Sequence, residues 1–429
     1  MAYNYRVFRI FVFFLYIYLN FFFMNNSYQL KNGLTVMYVS HSQGFSGCLS
    51  VNVGHVSEPS LGLASLFEKT LLLQTSSIIP FFGGTMTAYT ATDNSLEMLI
   101  AKLSNVFNST VVNPEFVKRA QNWITEETHK NALKPVRQMK LLYKHTAFGA
   151  DLVRPTEEFL EKLNSYTAED VRNFANTYYT AANVVLVLAG PKASARFVRD
   201  LAEQYFGSIP SGEPQKVHYG DIYTGGFGRI DVVDDDTSVM VGWDASGLKI
   251  DDSPATNVMM SMFLNALEGA YLRKMPWAKV KVDFKIAGYY GIRTMRATIS
   301  SPTANARELT DIVVSVVNHI CDVPATDAVM ESSRNCAMTE KLDKYEKSDD
   351  LALETAWQLI GRGSMYDTTN RIMSIHDTTA DDVRNVAERV FRGSRATYIV
   401  ATDAQLPDYS YRELLTALKC EVLLKSEDK

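Results

Sequence analysis

Hydrophobic and polar positions follow two different periods along the chain, and the shorter period predicts strands. Asn32-Gly33 separates two strand-like runs and is typical of a hairpin turn. Residues 48–53 alternate between apolar and polar side chains, which is the pattern of a half-buried strand. Residues 183–190 are almost continuously apolar and predict a central strand that is covered on both faces.

The longer period predicts helices between these strands. Residues 95–108 repeat leucine and isoleucine at helical spacing, and residues 113–127 open with Pro114 at an early helical position. A further helix is predicted over residues 165–175, where Ser165 or Thr167 can cap the first turn. Residues 62–72 also read as a buried helix.

An internal repeat is the strongest structural signal in the sequence. Residues 165–175 recur 212 residues later at 377–387, with seven of eleven positions identical. Each copy is followed by a strand-like run, and the long helix upstream is echoed as well. The sequence therefore predicts an α+β chain of two homologous domains, each a mixed sheet covered by helices.

Composition shifts place the domain boundaries. Proline and glycine cluster near residues 207–219. We expect an N-terminal extension at residues 1–27, a first domain at 28–207, a linker at 208–219 and a second domain at 220–429. The extension is apolar or aromatic from Ile10 to Met24 except for Asn20. Three interpretations stay open for it: a signal or membrane anchor, an import segment, or an artefact of an upstream start codon with Met24 as the true initiator.

Charge and cysteine content narrow the function classes. The formal net charge is −5 and no basic stripe occurs, which argues against a nucleic-acid partner. The four cysteines lie far apart and form no CxxC pair, so we expect reduced structural thiols rather than a disulfide framework or a zinc cluster.

The chemistry-bearing stretch is the helix predicted for residues 62–72. Ser65, Glu68 and Lys69 fall at i, i+3 and i+4 and share one helical face. An inverted zinc motif, His-x-x-Glu-His, would place an imidazole at each outer position and a general base between them. Here the outer positions hold a hydroxyl and an ammonium, which are poor or repulsive partners for zinc.

Several segments together resemble the zinc peptidases of the pitrilysin and mitochondrial processing peptidase type. They are the Leu-Lys-Asn-Gly-Leu-Thr-Val opening at residues 30–36, the turn at 54–58, the Gly-x-Ala-x-x-x-Glu helix at 62–68, the Gly-Gly segment at 82–90 and the doubled Thr-Ala-x-Asp-Val helix. The resemblance runs from Tyr28 to about Asp403. It implies two pitrilysin-type domains arranged as a clamshell.

The resemblance also implies where a zinc site would lie. Active members read Gly-x-Ala-His-x-x-Glu-His, which puts the two histidines on Ser65 and Lys69 and the base on Glu68. The third ligand would fall near Glu126. With two of three ligands absent, these four positions are vestigial, and we expect no bound metal, no cofactor and no catalytic residue. A carboxylate without a metal does not generate hydroxide at neutral pH.

Non-catalytic members of this family act as structural partners. The resemblance implies a core subunit of the cytochrome bc complex (complex III), paired with a second chain of the same fold. Such a subunit is peripheral to the membrane, on the matrix side of the mitochondrial inner membrane. The alternative is an alpha-like processing subunit that binds presequences, although residues 265–276 lack the glycine-rich loop of that subunit. A third alternative is an active peptidase with rearranged ligands, which would use Glu68, Glu126 and His129 or another histidine.

Overall fold

The computed structural model describes residues 27–420, apart from residues 56, 76–77, 83, 109–111, 133, 150–155, 216–222, 233–235, 250, 278, 290–291, 363–367 and 404–407. The predicted N-terminal extension therefore lies outside the described residues, except for Ser27. Part of the predicted linker lies outside them as well. Within the described part of the chain, no single helix is long and apolar enough to span a membrane, although the bent pair Ala306–Asp322 and Asp327–Tyr345 meets the length and composition criteria together.

Two mixed sheets organise the chain. The first has the strand order β1-β2-β6-β3-β5-β4 and the second has the order β7-β11-β8-β10-β9. The strands of the first sheet are β1 (Ser27–Gln29), β2 (Thr35–Ser40), β3 (Phe45–Val51), β4 (Ile79–Phe82), β5 (Thr87–Asp93) and β6 (Val184–Gly190). Those of the second are β7 (Gly226–Asp231), β8 (Thr237–Asp244), β9 (Lys281–Tyr289), β10 (Ile292–Ser301) and β11 (Thr397–Thr402).

The helices divide between the two halves of the sequence. The first half contains α1 (Leu63–Leu72), α2 (Leu96–Asn108), α3 (Pro114–Ala132), α4 (Pro135–Phe148), α5 (Thr156–Ser165), α6 (Ala168–Tyr178) and α7 (Ala195–Phe206). The second contains α8 (Ser253–Lys274), α9 (Ala306–Asp322), α10 (Asp327–Tyr345), α11 (Ser348–Arg362), α12 (Thr368–Asp377), α13 (Ala380–Phe391) and α14 (Tyr411–Ala417).

The predicted repeat is confirmed by topology. In each sheet the last strand of the half, β6 or β11, inserts between one parallel and one antiparallel neighbour. A shift of 212 residues carries α5 onto α12 and α6 onto α13 with matching starts. The two halves therefore share one supersecondary plan, as the α+β prediction of two homologous domains requires.

The packing units are not continuous in sequence. One compact unit combines the described residues within Met1–Glu126, Thr156–Val217 and Lys341–Arg371. The other combines those within Glu127–Pro155, His218–Glu340 and Ile372–Lys429. The boundaries predicted from the sequence follow chain order. They therefore place residues 127–155 in the first domain and residues 341–371 in the second, whereas each segment packs in the other unit.

Two equivalent helices cause this exchange. Helix α11 packs against β3 and β6 of the first sheet, and its counterpart α4 packs against β7 and β11 of the second. The cover by α11 also corrects the half-buried pattern predicted for residues 48–53. Strand β3 is buried at every position from Ser46 to Val51, because α11 and α2 both pack on it.

The core of each unit is built from the apolar positions of its elements. In the first unit, a continuous cluster joins β2, β3 and β6 to helices α1, α2, α6 and α7. In the second, Trp243, Phe263 and Phe391 pack edge to face or tilted, and Phe284 stacks on Phe263. Strand β6 is buried along its whole length, which confirms the prediction of a central covered strand.

Candidate functional site

The helix that carries the predicted vestigial motif, α1, begins with an unusual cap. Gly62 adopts φ 84°, a left-handed conformation in which a side chain would also meet the ring of Phe159. Because the cap residue is a glycine, it has no side chain that could accept a hydrogen bond from the first turn of the helix. Instead, the Glu58 carboxyl accepts hydrogen bonds from the Gly62 N–H at 2.6 Å and the Ala64 N–H at 2.7 Å. This carboxyl supplies the acceptors that the first turn of α1 requires.

Burial changes the acidity of this cap. Desolvation raises the pKa of Glu58 from 4.5 to about 7, although the hydrogen bonds from the backbone of α1 oppose the shift. Tyr166 closes the same region, since its hydroxyl donates to the Ser60 hydroxyl or the Leu61 carbonyl, at 2.7 and 2.8 Å. The loop before α1 is therefore held by a partly buried acid and a tyrosine rather than by an exposed cap.

The two positions that would carry histidine ligands lie on α1, and one of them contacts the third helix. Ser65 and Lys69 are both partly exposed on α1. The Lys69 ammonium lies 4.7 Å from the centroid of the Trp123 ring on α3, which is a cation–π distance. Glu126, the expected third ligand, follows Trp123 by three residues on α3 and is exposed. Lys69 thus contacts the helix of the expected third ligand through an aromatic ring.

Glu68, the position of the general base, points into the interior. Its residue is 4% exposed. It lies near Tyr89 and Tyr179, whose hydroxyls share a hydrogen bond of 2.7 Å. Burial is the main cause that raises the pKa of both tyrosines, and the Glu68 carboxylate adds to the shift. Glu68 is therefore part of a buried polar group beneath α1.

The residues present do not fit a zinc ion. The four predicted positions hold the Ser65 hydroxyl, the Lys69 ammonium in contact with Trp123, the buried Glu68 carboxylate and the exposed Glu126 carboxylate. These groups do not provide three converging nitrogen, sulfur or oxygen donors for a zinc ion. Among the residues that the structure describes, no group of three or more histidine, cysteine, aspartate or glutamate side chains is arranged to hold a metal. His129 is exposed on α3, so the rearranged set of Glu68, Glu126 and His129 is not brought together.

Three features of this region escaped the sequence analysis. Glu58 was part of a turn motif, but its role as the acceptor for α1 depends on the path of the loop. Trp123 stands one helical turn before Glu126, and that spacing is the signal that could have identified it. The Tyr89–Tyr179 pair joins residues 90 positions apart, and no local pattern connects them.

The four cysteines are free thiols. Cys48, Cys321 and Cys420 are buried, and Cys336 is exposed. Burial raises the pKa of the Cys48 thiol to about 12, so this sulfur is a protonated core side chain at neutral pH.

Comparisons with known proteins agree with this architecture. Residues 165–337 match the family described as the Peptidase M16 inactive domain. An uncharacterised zinc protease of Streptomyces coelicolor is 26% identical over 181 residues, which is 39% of this chain and 39% of that protein. The matched region thus spans well under half the length of this curated relative.

Solved structures are similar over nearly the whole chain. A chain of complex III2 from Candida albicans has a TM-score of 0.76 at 13% identity and covers 92% of this chain and 99% of its own. A protease from Helicobacter pylori has a TM-score of 0.76 at 16% identity and covers 88% of this chain and 98% of its own. At these identities the structural matches establish the fold. Combined with the match over residues 165–337, they show that this chain is similar to the M16 peptidases and contains a region that matches the inactive domain of that family.

Proposed function

We propose that this protein is a non-catalytic core-type subunit of a cytochrome bc complex (complex III). In this role it pairs with a second chain of the same fold and lies on the matrix side of the mitochondrial inner membrane. The observation that carries the proposal is the contact of Lys69 with Trp123 at the place where a peptidase would bind zinc. An ammonium there repels a divalent cation, and the exposed Glu126 alone does not hold one.

One helix favours the core role over presequence binding, and the fold is compatible with a core subunit. A chain of complex III2 from Candida albicans has the same fold over 92% of this chain. Residues 265–274, where the alpha-type processing subunit is expected to carry a glycine-rich loop, continue helix α8 here. A regular helix satisfies its own backbone groups and leaves them unavailable to an extended peptide.

The deciding experiment is purification of the native complex from its source, followed by metal analysis and identification of the partner chains. We expect no stoichiometric zinc in this chain, and we expect cytochrome subunits together with a second M16-type chain. A partner that carries His-x-x-Glu-His, without cytochromes, would instead indicate the alpha-like processing subunit. Stoichiometric zinc on this chain alone would contradict the proposal.

A matched pair of variants tests whether the absence of histidine at positions 65 and 69 is what prevents zinc binding. Ser65→His with Lys69→His restores the two histidines beside Glu68 and removes the ammonium. We expect this double variant to gain zinc affinity over the wild type in equilibrium dialysis, while Ser65→Ala with Lys69→Met gains none. Glu68→Gln in the native background should leave both assembly and every measured activity unchanged, and a clear loss of activity would show that the carboxylate still has a catalytic role.

A further inference from the structure

A cluster of basic side chains lies within the second unit, away from the vestigial zinc positions. Arg137, Lys140 and Lys144 follow one another at spacings of three and four on α4, so they share a face of that helix, and all three are exposed. Arg296 on β10 and Lys285 on β9 are paired in register in the adjacent sheet. We call these five residues the basic patch.

The sheet register places both strand residues on the face that α4 covers. Tyr143 and Met139 of α4 belong to one apolar cluster with Met240 of β8. Met240 is paired with Thr298, and Arg296 is two residues away on the same strand. Side chains two apart along a strand share a face, so Arg296 points to the side of the sheet that carries α4.

Arg296 is buried without a carboxylate partner among the described residues. It is 7% exposed, and the contact that holds it is a cation–π contact, with its guanidinium carbon 5.3 Å from the centroid of the Tyr143 ring. Its Nε has no hydrogen-bond acceptor in the described part of the chain. A buried guanidinium normally satisfies its donors with an anion, because an unpaired buried charge is costly.

Gly242 explains how Tyr143 comes to lie beside Arg296. Gly242 on β8 is the register partner of Arg296, and a side chain at this glycine would collide with the Tyr143 hydroxyl. The missing side chain lets Tyr143 approach the sheet closely and brings its ring within cation–π distance of the guanidinium.

Positive charge exceeds negative charge around Arg296. Burial, followed by the charges of Arg296, Lys285 and Arg137, lowers the pKa of Lys140, and Asp283 opposes the shift. Desolvation by neighbouring protein atoms, followed by the charges of Arg137, Arg296 and Lys140, likewise lowers the pKa of Lys144, although its side chain as a whole remains exposed to solvent. Asp283 already pairs with Lys285 at 2.5 Å, and Asp244 accepts a hydrogen bond from the backbone of Ser246. In the described part of the chain, neither carboxylate forms a salt bridge with Arg296 or with the α4 lysines.

We propose that the basic patch binds a phosphate group, carried either by a soluble phosphorylated compound or by the headgroup of an acidic phospholipid. A phosphate accepts hydrogen bonds from the fork of a guanidinium and from neighbouring ammonium groups at once. Its double charge also relieves the mutual repulsion of the lysines better than a single carboxylate does. This site is independent of the proposed role as a core subunit.

The test uses the full chain and inorganic phosphate, compared with sodium chloride at equal ionic strength. Ligands that bind the folded state raise its unfolding temperature, and isothermal titration gives the affinity directly. We expect phosphate to stabilise the wild type more than chloride does. Lys140→Gln with Lys144→Gln should weaken phosphate binding about fivefold, since both lysines are exposed and each contributes modestly.

Arg296→Met should abolish the binding, and Arg296→Lys, which keeps the charge without the fork, should retain only part of it. Lys118→Gln with Lys274→Gln removes two exposed helical lysines outside the patch and serves as the matched control. Because Arg296 is buried, its variants could disturb folding. The exposed lysine pair therefore decides the outcome by itself.

A second arm identifies the source of the phosphate. Flotation with phosphatidylcholine vesicles that contain phosphatidic acid, but not with phosphatidylcholine alone, would identify a lipid headgroup, provided that the α4 double variant loses it. Phosphate binding without flotation would identify a soluble compound. The proposal is overturned if phosphate acts no differently from chloride, or if the α4 double variant binds phosphate as tightly as the control.

Discussion

Lys69 and Trp123 connect the helix of the vestigial motif to the helix of Glu126. The two residues form a contact between a cation and an aromatic face. Such contacts are weak at exposed sites and stronger when they are desolvated. Lys69 is partly exposed and Trp123 is exposed, so the contact adds local stability rather than fixing the fold.

The strength of this contact can be measured. Lys69→Met keeps the apolar stem but removes the charge, and we expect a coupling with Trp123→Leu of about 0.5–1 kcal/mol in a double-mutant cycle from urea unfolding. Lys118→Met, at an exposed lysine five residues before Trp123 on α3, is the matched control and should show no coupling. Additive effects of Lys69→Met and Trp123→Leu would mean that the pair is not energetically linked.

Glu58 makes the free energy of unfolding depend on pH. Its pKa is about 7 in the folded protein against 4.5 for an ordinary glutamate, so between these values the folded state binds more protons than the unfolded chain. The contribution of this group to the free energy of unfolding is therefore greatest below pH 4.5. It falls as the pH rises to about 7, by on the order of 2 kcal/mol.

Replacement of Glu58 tests this sign. Glu58→Gln removes the titration, so its unfolding free energy should fall less than that of the wild type between pH 5 and pH 7. The variant also loses one acceptor for the first turn of α1 and should be less stable overall. Glu157→Gln, at an exposed glutamate in the first turn of α5, is the control. An identical slope in wild type and Glu58→Gln would contradict the assignment.

Among the elements, the duplicated helices α6 and α13 show how closely the repeat is preserved. Thr167 and Thr379 each accept a hydrogen bond from the backbone N–H three residues on, at 3.2 Å in both cases. In turn, the carboxylates of Asp170 and Asp382 accept a hydrogen bond from the backbone N–H of the same threonine. Both copies are therefore complete capping boxes, and the cap predicted at Ser165 or Thr167 is Thr167.

Removal of either cap should have the same cost. Thr167→Ala and Thr379→Ala should each lower the free energy of unfolding by about 1 kcal/mol, since each strands a backbone donor at a helix start. Thr177→Ala is the matched control, because the Thr177 hydroxyl donates only to the carbonyl of Asn173 within α6. A cost at one copy alone would show that the two halves do not use the box equivalently.

At the scale of the whole molecule, each sheet depends on a helix from the other half of the sequence. Residues 27–215 contain β3 and β6 but lack α11, which covers them. The same fragment contains α4 without β7 and β11, so Met139 and Tyr143 would lose their cover. We therefore expect this fragment to aggregate or to unfold without cooperativity when it is produced alone.

Complementation supplies the control for this prediction. Residues 216–429 produced in the same cells should restore solubility and yield a stoichiometric pair, since each fragment then receives its missing helix. Gel filtration and thermal unfolding of the two samples give the comparison. Cooperative unfolding of residues 27–215 alone would show that the exchanged helices are dispensable.

The sequence by itself determined the local elements and the duplication. Alternation, helical spacing, turn residues and caps act over a few positions, so the order of strands and helices follows from the sequence. The repeat at an offset of 212 residues is also visible in the sequence. The residues at the vestigial motif were visible in the same way, because Ser65, Glu68 and Lys69 are one helical turn apart.

Only the tertiary structure decided which distant residues meet. It exchanged α4 and α11 between the sheets, turned Glu68 toward a tyrosine pair and laid Lys69 on Trp123. It also assembled the basic patch from α4 and two strands about 140 residues further along the chain. These contacts depend on long-range packing and loop paths, which no short period in the sequence encodes.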